Sequence, residues 1–97
     1  MKKGYWIVAY RSISNEAALP EYGALALPAI EAHGGRPIVR TSEAIEPRES
    51  GLKQRTVVIE FESFAKAVET YDSEAYQKAL KALGSAADRD FRIVEGI

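Results

Sequence analysis

Residues 55–62 read RTVVIEFE, a run of β-branched and aromatic side chains that is typical of a central β-strand. Successive side chains of a strand point to opposite faces, so Val57, Ile59 and Phe61 share one face and Glu60 lies on the other. The first face is entirely apolar, and we expect it to pack against helices. The second face places a carboxylate in the middle of a sheet, so the surroundings of Glu60 become the central functional question.

Length and composition restrict the chain to a few classes of protein. Its 97 residues suit one small domain, which we take as residues 1–97. The absence of cysteine excludes a disulfide scaffold, and a net charge of −1 gives no electrostatic footprint for nucleic acid. No apolar stretch is long enough for a signal peptide core or a membrane span, so we expect a cytoplasmic protein with no membrane partner.

Four predicted strands and two predicted helical regions follow one another along the chain. The strands are predicted over 4–12, 36–41, 55–62 and 89–95. The first helix is predicted over 15–33 with Asn15 as its N-cap, and the second region consists of two segments capped by Ser63 and Ser73. The order βαββαβ is that of the ferredoxin-like α+β fold, in which right-handed crossovers place the helices on one face of a four-stranded antiparallel sheet.

The other face of this predicted sheet is too apolar for a surface in contact with water. It should carry Tyr5, Ile7 and Val58, and an exposed apolar sheet face predicts a partner. The simplest partner is a second copy of the chain related by a two-fold axis. We therefore expect a homodimer that forms through its sheet faces.

Four short patterns carry a resemblance to a known family. They are HGGR at 33–36, VVIEF at 57–61, YDS at 71–73 followed by YQ at 76–77, and VEG at 94–96. In this order and spacing the chain resembles the domain-of-unknown-function 1330 family of the dimeric α+β barrel superfamily. The resemblance implies a ferredoxin-like protomer whose sheet packs on the sheet of a second copy. Superfamily members include small monooxygenases, lactone isomerases and stress-related domains, often without metal or organic cofactor, so it implies no cofactor and no particular reaction.

Glu60 is the first candidate for catalysis. Within the space between two sheets, desolvation would raise its pKa and a nearby arginine would lower it. Arg11, Arg36 and Arg40 could reach the same face from neighbouring strands. Glu60 would then be a general base or a ligand-orienting acceptor, and the alternative is a structural ion pair in the dimer interface.

His33, the single histidine of the chain, is the second candidate for catalysis. It could act as a general base near neutral pH, or it could bond a backbone carbonyl at the end of the first helix. No serine or cysteine nucleophile pairs with it in the sequence. A lone histidine among scattered carboxylates does not have the spacing of metal ligands, so we expect no metal site.

The ligand-binding candidates are aromatic and basic: Tyr5, Arg11, Arg36, Arg40 and Tyr76. Tyr5 could offer aromatic surface to a ligand, and Tyr76 could either edge a pocket mouth or pack at the break between the helical segments. One hypothesis is a cofactor-independent enzyme or small-molecule binder with a pocket between helices and sheet or inside the dimer barrel. The other is a non-catalytic dimerisation module. RNA binding is disfavoured because the outward side chains of the central strand are not aromatic.

Overall fold

The structure, a computed structural model, describes residues 1–97 and contains four strands and three helices. None of the helices combines the length and the apolar composition needed to cross a bilayer. In chain order the elements are β1 (Gly4–Ile13), α1 (Ala18–Ala32), β2 (Arg36–Thr41), β3 (Thr56–Phe61), α2 (Phe64–Asp72), α3 (Glu74–Leu83) and β4 (Ala87–Glu95).

The four strands form one sheet in the order β2-β3-β1-β4. Every neighbouring pair is antiparallel, and this order confirms the α+β fold with a ferredoxin-like connection. β2 is an edge strand, a position that tolerates Pro37 because proline has no N–H to donate to a second neighbour. The two central strands, β1 and β3, therefore supply the middle of both faces of the sheet.

The helices cover one face, and Trp6 of β1 lies at the centre of the core beneath them. Its ring centroid is 5.0 Å from that of Phe61, 4.8 Å from that of Tyr76 and 5.1 Å from that of Phe91. Its indole N–H donates to the carbonyl oxygen of Ala67 at 2.9 Å, so the one polar atom of this side chain is satisfied. This aromatic cluster ties three strands to α2 and α3.

The helix starts were predicted correctly for α2 and α3 and wrongly for α1. Ser63 accepts a hydrogen bond from the backbone N–H of Lys66, and Ser73 accepts one from the N–H of Tyr76.

Asn15 does not cap α1, which begins at Ala18. The backbone N–H of Asn15 still donates to Ala86 at 3.3 Å, so the chain is held beside β4 at this point and turns into the helix only afterwards.

A β-bulge in β2 reverses the faces of its second half. Pro37 pairs with Ile59, and the next pairs along the strands are Val39 with Val58 and Arg40 with Val57. Ile38 therefore has no partner on β3 and is an extra residue in β2. Arg40 therefore lies on the helix-covered face beside Val57. The prediction that it shares the face of Glu60 is wrong, because simple alternation along the strand does not foresee the inserted residue.

Candidate functional site

Glu60 lies on the sheet face that the helices leave open, within a set of cations. It pairs across the strands with Tyr5 on one side and Arg36 on the other. Arg36 donates to its Oε1 from Nε at 3.1 Å and from Nη2 at 2.9 Å, and the Tyr5 hydroxyl donates to Oε2 at 3.3 Å. The Nζ of Lys3 is 3.7 Å from Oε1. Of the predicted site residues, the structure thus brings Glu60, Tyr5 and Arg36 together.

The hydrogen bond from Arg36 lowers the pKa of Glu60 below its ordinary value of 4.5. Partial burial acts in the opposite direction, and the charges of Lys3 and Arg36 add to the lowering. Glu60 is therefore an anion at neutral pH whose oxygens already accept three hydrogen bonds. Such a carboxylate is a weak base and a well-held structural acceptor.

Arg11 belongs to a second ion cluster on the open face. Asp90 accepts from Arg92 in a two-point contact at 3.0 and 3.1 Å, and Nη2 of Arg11 is 3.7 Å from its Oδ2. The Arg92 hydrogen bonds lower the pKa of Asp90. Arg11 shares a face with Glu60, as predicted, but its ionic partner is Asp90.

His33 lies at the C-terminal end of α1, where its Nδ1 is 2.8 Å from the carbonyl oxygen of Ala29. No hydrogen bond or ion pair joins it to Glu60, which lies on the opposite side of the sheet from the helices. This geometry corresponds to the carbonyl-bonded helix end that the sequence left open as the alternative. No group of three or more histidine or acidic side chains lies close enough together to hold a metal ion.

A cavity of about 270 Å³ lies between α1 and the helix-covered face of the sheet. Eleven of its sixteen lining residues are hydrophobic, and none is acidic. The walls come from all four strands on one side and from α1 on the other. The lining consists of Trp6, Val8, Tyr10, Leu19, Tyr22, Gly23, Ala26, Leu27, Ile30, Pro37, Arg40, Arg55, Val57, Ile59, Arg89 and Phe91.

Three arginines give this apolar cavity its charge. Arg40 comes from β2, Arg55 immediately precedes β3, and Arg89 comes from β4. None of the three takes part in a salt bridge. Of these three, only Arg40 was predicted from the sequence as a ligand-binding residue. Arg89 could have been found, because it has the same strand parity as Phe91 and therefore belongs to the apolar face.

Arg89 is held by aromatic rings rather than by a carboxylate. Its guanidinium carbon is 5.6 Å from the ring centroid of Tyr10, 5.1 Å from that of Tyr22 and 5.2 Å from that of Phe91. These are cation–π distances. The half-buried guanidinium is thus fixed in orientation while its charge stays without an anionic partner.

Two tyrosine hydroxyls connect Arg89 to the core. Nη1 of Arg89 donates to the Tyr22 hydroxyl oxygen at 3.1 Å, and that oxygen is 2.5 Å from the Tyr76 hydroxyl oxygen. Tyr76 is fully buried, and burial raises its pKa, so it stays protonated. The predicted ligand residue Tyr76 does not line the cavity; it lies behind Tyr22 and Trp6, which do.

Comparison with known proteins gives a family and a fold. The sequence model of the family described as Domain of unknown function (DUF1330) matches residues 3–97, which confirms the resemblance. A structure titled as that of methylated RPA0582 protein is 19% identical with a TM-score of 0.73, and the match covers 99% of this chain and 82% of that one. A second, titled as RPA0582, a protein of unknown function from Rhodopseudomonas palustris, is 21% identical with a TM-score of 0.67, covering 97% and 80%. No curated protein matches the chain.

Proposed function

This chain is a member of the DUF1330 family, and we propose that it is a homodimer that binds a small organic molecule in the cavity between α1 and the sheet. The observation that carries the proposal is the cavity itself, whose walls are mainly apolar and whose few polar side chains are basic or phenolic. Such a composition, with few polar groups to fix orientation, is typical of small-molecule sites. A cytoplasmic location, a single domain over residues 1–97, and function without metal or cofactor stay predictions from the sequence.

The size of the cavity limits the ligand. An engineered apolar cavity of about 150 Å³ holds a six-carbon aromatic ring. By proportion the 270 Å³ cavity suits a molecule of about ten non-hydrogen atoms. The mainly apolar walls favour a small organic molecule with few polar groups over a sugar or a nucleotide.

Support for the homodimer comes from the open face of the sheet. Ile7 and Val58 are cross-strand neighbours in its centre. Val39, which pairs with Val58, is 40% exposed, and Val94, which pairs with Tyr5, is 36% exposed. The Glu60 and Asp90 ion clusters lie at either end of this apolar patch. An apolar centre with a charged rim is the composition expected of a protein interface.

A second candidate is a dimerisation module that binds no ligand. It is favoured by the charges of the open face, because Glu60 and Asp90 already have arginine partners within the same chain. These carboxylates then stabilise the protomer and its interface and take no part in a reaction. Both candidates place dimerisation on the open face, and they differ in whether the cavity binds a ligand.

Gly23 of α1 offers a test that separates these candidates. Gly23 lines the cavity, and a Cβ added there meets no atom within 4 Å, so the backbone accepts a side chain at this position and Gly23→Leu is expected to occupy cavity space. Gly23→Ala is the matched control, since it makes the same helix-favouring change, worth about 1 kcal/mol, with a much smaller side chain. Both variants should be at least as stable as the parent protein.

The probes are cyclohexanecarboxylate and the neutral cyclohexanecarboxamide, and the readout is the indole N–H signal of Trp6 in two-dimensional NMR. Trp6 is the single tryptophan and lines the cavity, so one signal reports occupancy. We expect the signal to move during titration with at least one probe in the parent protein and in Gly23→Ala, and to stay unchanged in Gly23→Leu. A signal that neither probe moves, or that moves equally in Gly23→Leu, contradicts ligand binding in this cavity and leaves the dimerisation module.

A further inference from the structure

The cavity contains positive charge that no part of the chain neutralises. The guanidinium groups of Arg89 and Arg55 lie over the same ring, 5.6 and 6.0 Å from the centroid of Tyr10, and Arg40 is a third cation in the lining. Arg89 and Arg55 are partly buried, whereas Arg40 is exposed, and a charged group that is partly withdrawn from water is normally paired. The partly buried charge of Arg89 therefore has no anionic partner within the chain.

The two hydrogen-bonded tyrosine hydroxyls beside Arg89, those of Tyr22 and Tyr76, provide a further hydrogen-bond donor for the cavity. Tyr76 is fully buried, and the Tyr22 oxygen is the acceptor that the hydrogen-bond geometry offers it. If Tyr22 donated to Tyr76, the Tyr76 proton would be buried without an acceptor, which is costly. The favourable arrangement has Tyr76 and Arg89 both donate to the Tyr22 oxygen, and the proton of Tyr22 is then left for a group in the cavity.

From this geometry we propose that the ligand is an organic anion, a carboxylate on a compact apolar body, whose carboxylate oxygens accept from Arg89 and Tyr22. A planar guanidinium matches a carboxylate in shape and forms short, charge-assisted hydrogen bonds with it. Arg40 and Arg55 add positive potential, and the apolar body lies against Trp6 and Ile59. This inference rests on the proposed function and names the class of ligand for the same cavity.

A carboxylate explains these observations better than a phosphate ester does. Phosphate sites in proteins are commonly built from backbone N–H groups at a helix N-terminus or in a glycine-rich loop. This cavity is lined by side chains along the body of α1 and by strand side chains instead. One fixed guanidinium and one hydroxyl provide the number of donors that a single carboxylate requires.

The matched probes of equal size test the inference. In low-salt buffer at pH 7 we expect cyclohexanecarboxylate to bind roughly tenfold more tightly than cyclohexanecarboxamide, because a charge-assisted hydrogen bond is about twice as strong as a neutral one. In Arg89→Met the ratio of the two dissociation constants should fall close to one. Tyr22→Phe keeps the ring and should weaken carboxylate binding several-fold while the amide is little affected.

The control is Arg48→Met, which removes an exposed arginine of the β2–β3 loop that pairs with Glu46 and should leave the ratio unchanged. Arg89→Lys keeps the charge and should retain part of the preference, which separates loss of charge from misfolding. Equal affinity for the two probes in the parent protein, or a preference that survives in Arg89→Met, overturns the carboxylate assignment while the cavity remains a binding site. Binding of neither probe overturns the proposed function itself, and the assignment with it.

Discussion

The two faces of the sheet treat their charges in opposite ways. On the open face, Glu60 pairs with Arg36 and Asp90 pairs with Arg92. On the helix-covered face, Arg89 lies among aromatic rings, and no carboxylate is within ion-pair distance of it. On the open face, then, each of these carboxylates has an arginine partner. On the covered face the partly buried Arg89 has no carboxylate partner, although an unpaired charge destabilises a protein more where less water surrounds it.

The difference separates two uses of charge in one small fold. Charges that are paired within the chain stabilise the protomer and, in the proposed dimer, surround the apolar centre of the open face. Charges that lack a partner in a drier site cost stability, so their presence points to a partner from outside the chain. This contrast is the reason that we propose assembly through the open face and ligand recognition on the covered face.

The largest effect should come from placing a charge on the covered face. Ile59→Asp puts a carboxylate against the aromatic core, and we expect a loss of about 4 kcal/mol or more, enough to unfold a marginally stable domain. Val58→Asp makes the same kind of change at the preceding residue, on the open face, and this variant should keep the secondary structure of the parent protein. Circular dichroism and thermal melts compare the two, and equal damage would contradict the assignment of the faces.

Val58→Asp should instead act on self-association. A two-fold contact through the open face brings the two introduced carboxylates into the same apolar interface, and we expect dimerisation to weaken by roughly 100-fold, as expected of a central interface residue. Ala24→Asp, at an exposed position of α1, is the control and should remain dimeric. Sedimentation at micromolar concentrations decides the outcome, and a monomeric parent protein or a dimeric Val58→Asp would contradict assembly through this face.

The Glu60 cluster should contribute to stability in a pH-dependent way. Its pKa is lowered in the folded protein, so its contribution is fully present above the ordinary carboxyl value of 4.5 and is lost as the pH falls through the folded value. Glu60→Gln should therefore lower the melting temperature at pH 7 and flatten its decline in acid. Glu62→Gln, an exposed neighbour without an ion pair, should follow the parent curve, and parallel acid curves for all three would contradict this account.

His33→Gln should have the smallest effect. It removes the hydrogen bond between Nδ1 and the Ala29 carbonyl, and a single bond of this kind is worth about 0.5–1 kcal/mol. Urea denaturation should show a loss of this size, and the Trp6 signal should respond to the probes as in the parent protein. Abolished probe binding in a folded His33→Gln would return this histidine to the functional site.

The fold could be predicted from local patterns. Alternating apolar side chains identify the strands and their faces, and the capping residues mark where α2 and α3 begin. The apolar set Val57, Ile59 and Phe61 identified the covered face, and Ser63 and Ser73 marked the starts of α2 and α3. Asn15 does not cap α1: its side chain accepts from the N–H of Ala17 in a turn before the helix, and its backbone N–H donates to a residue 71 positions later in the chain. Such a contact has no local signature in the sequence.

The site was predicted less well, for two physical reasons. Pairing of Arg36 with Glu60 could be predicted from neighbouring strands, but the bulge at Ile38 moved Arg40 to the other face. Glu60 is conspicuous in the sequence as the one carboxylate on an apolar strand, whereas Arg89, on the covered face, lies in a strand rich in charged residues and has no such contrast. Arg89 and Tyr22 are 67 residues apart, and only the three-dimensional fold shows that they meet.

Two arginines on opposite faces of the same strand provide the most direct test of the central claim. Arg89→Met removes the unpaired cation of the cavity, and Arg92→Met removes a cation that is paired with Asp90. Without ligand, we predict that Arg89→Met raises the melting temperature by about 5 °C, which corresponds to about 1 kcal/mol in a domain of this size, and that Arg92→Met lowers it. A melting temperature that falls at least as far in Arg89→Met as in Arg92→Met would show that Arg89 is a structural group and would contradict the claim.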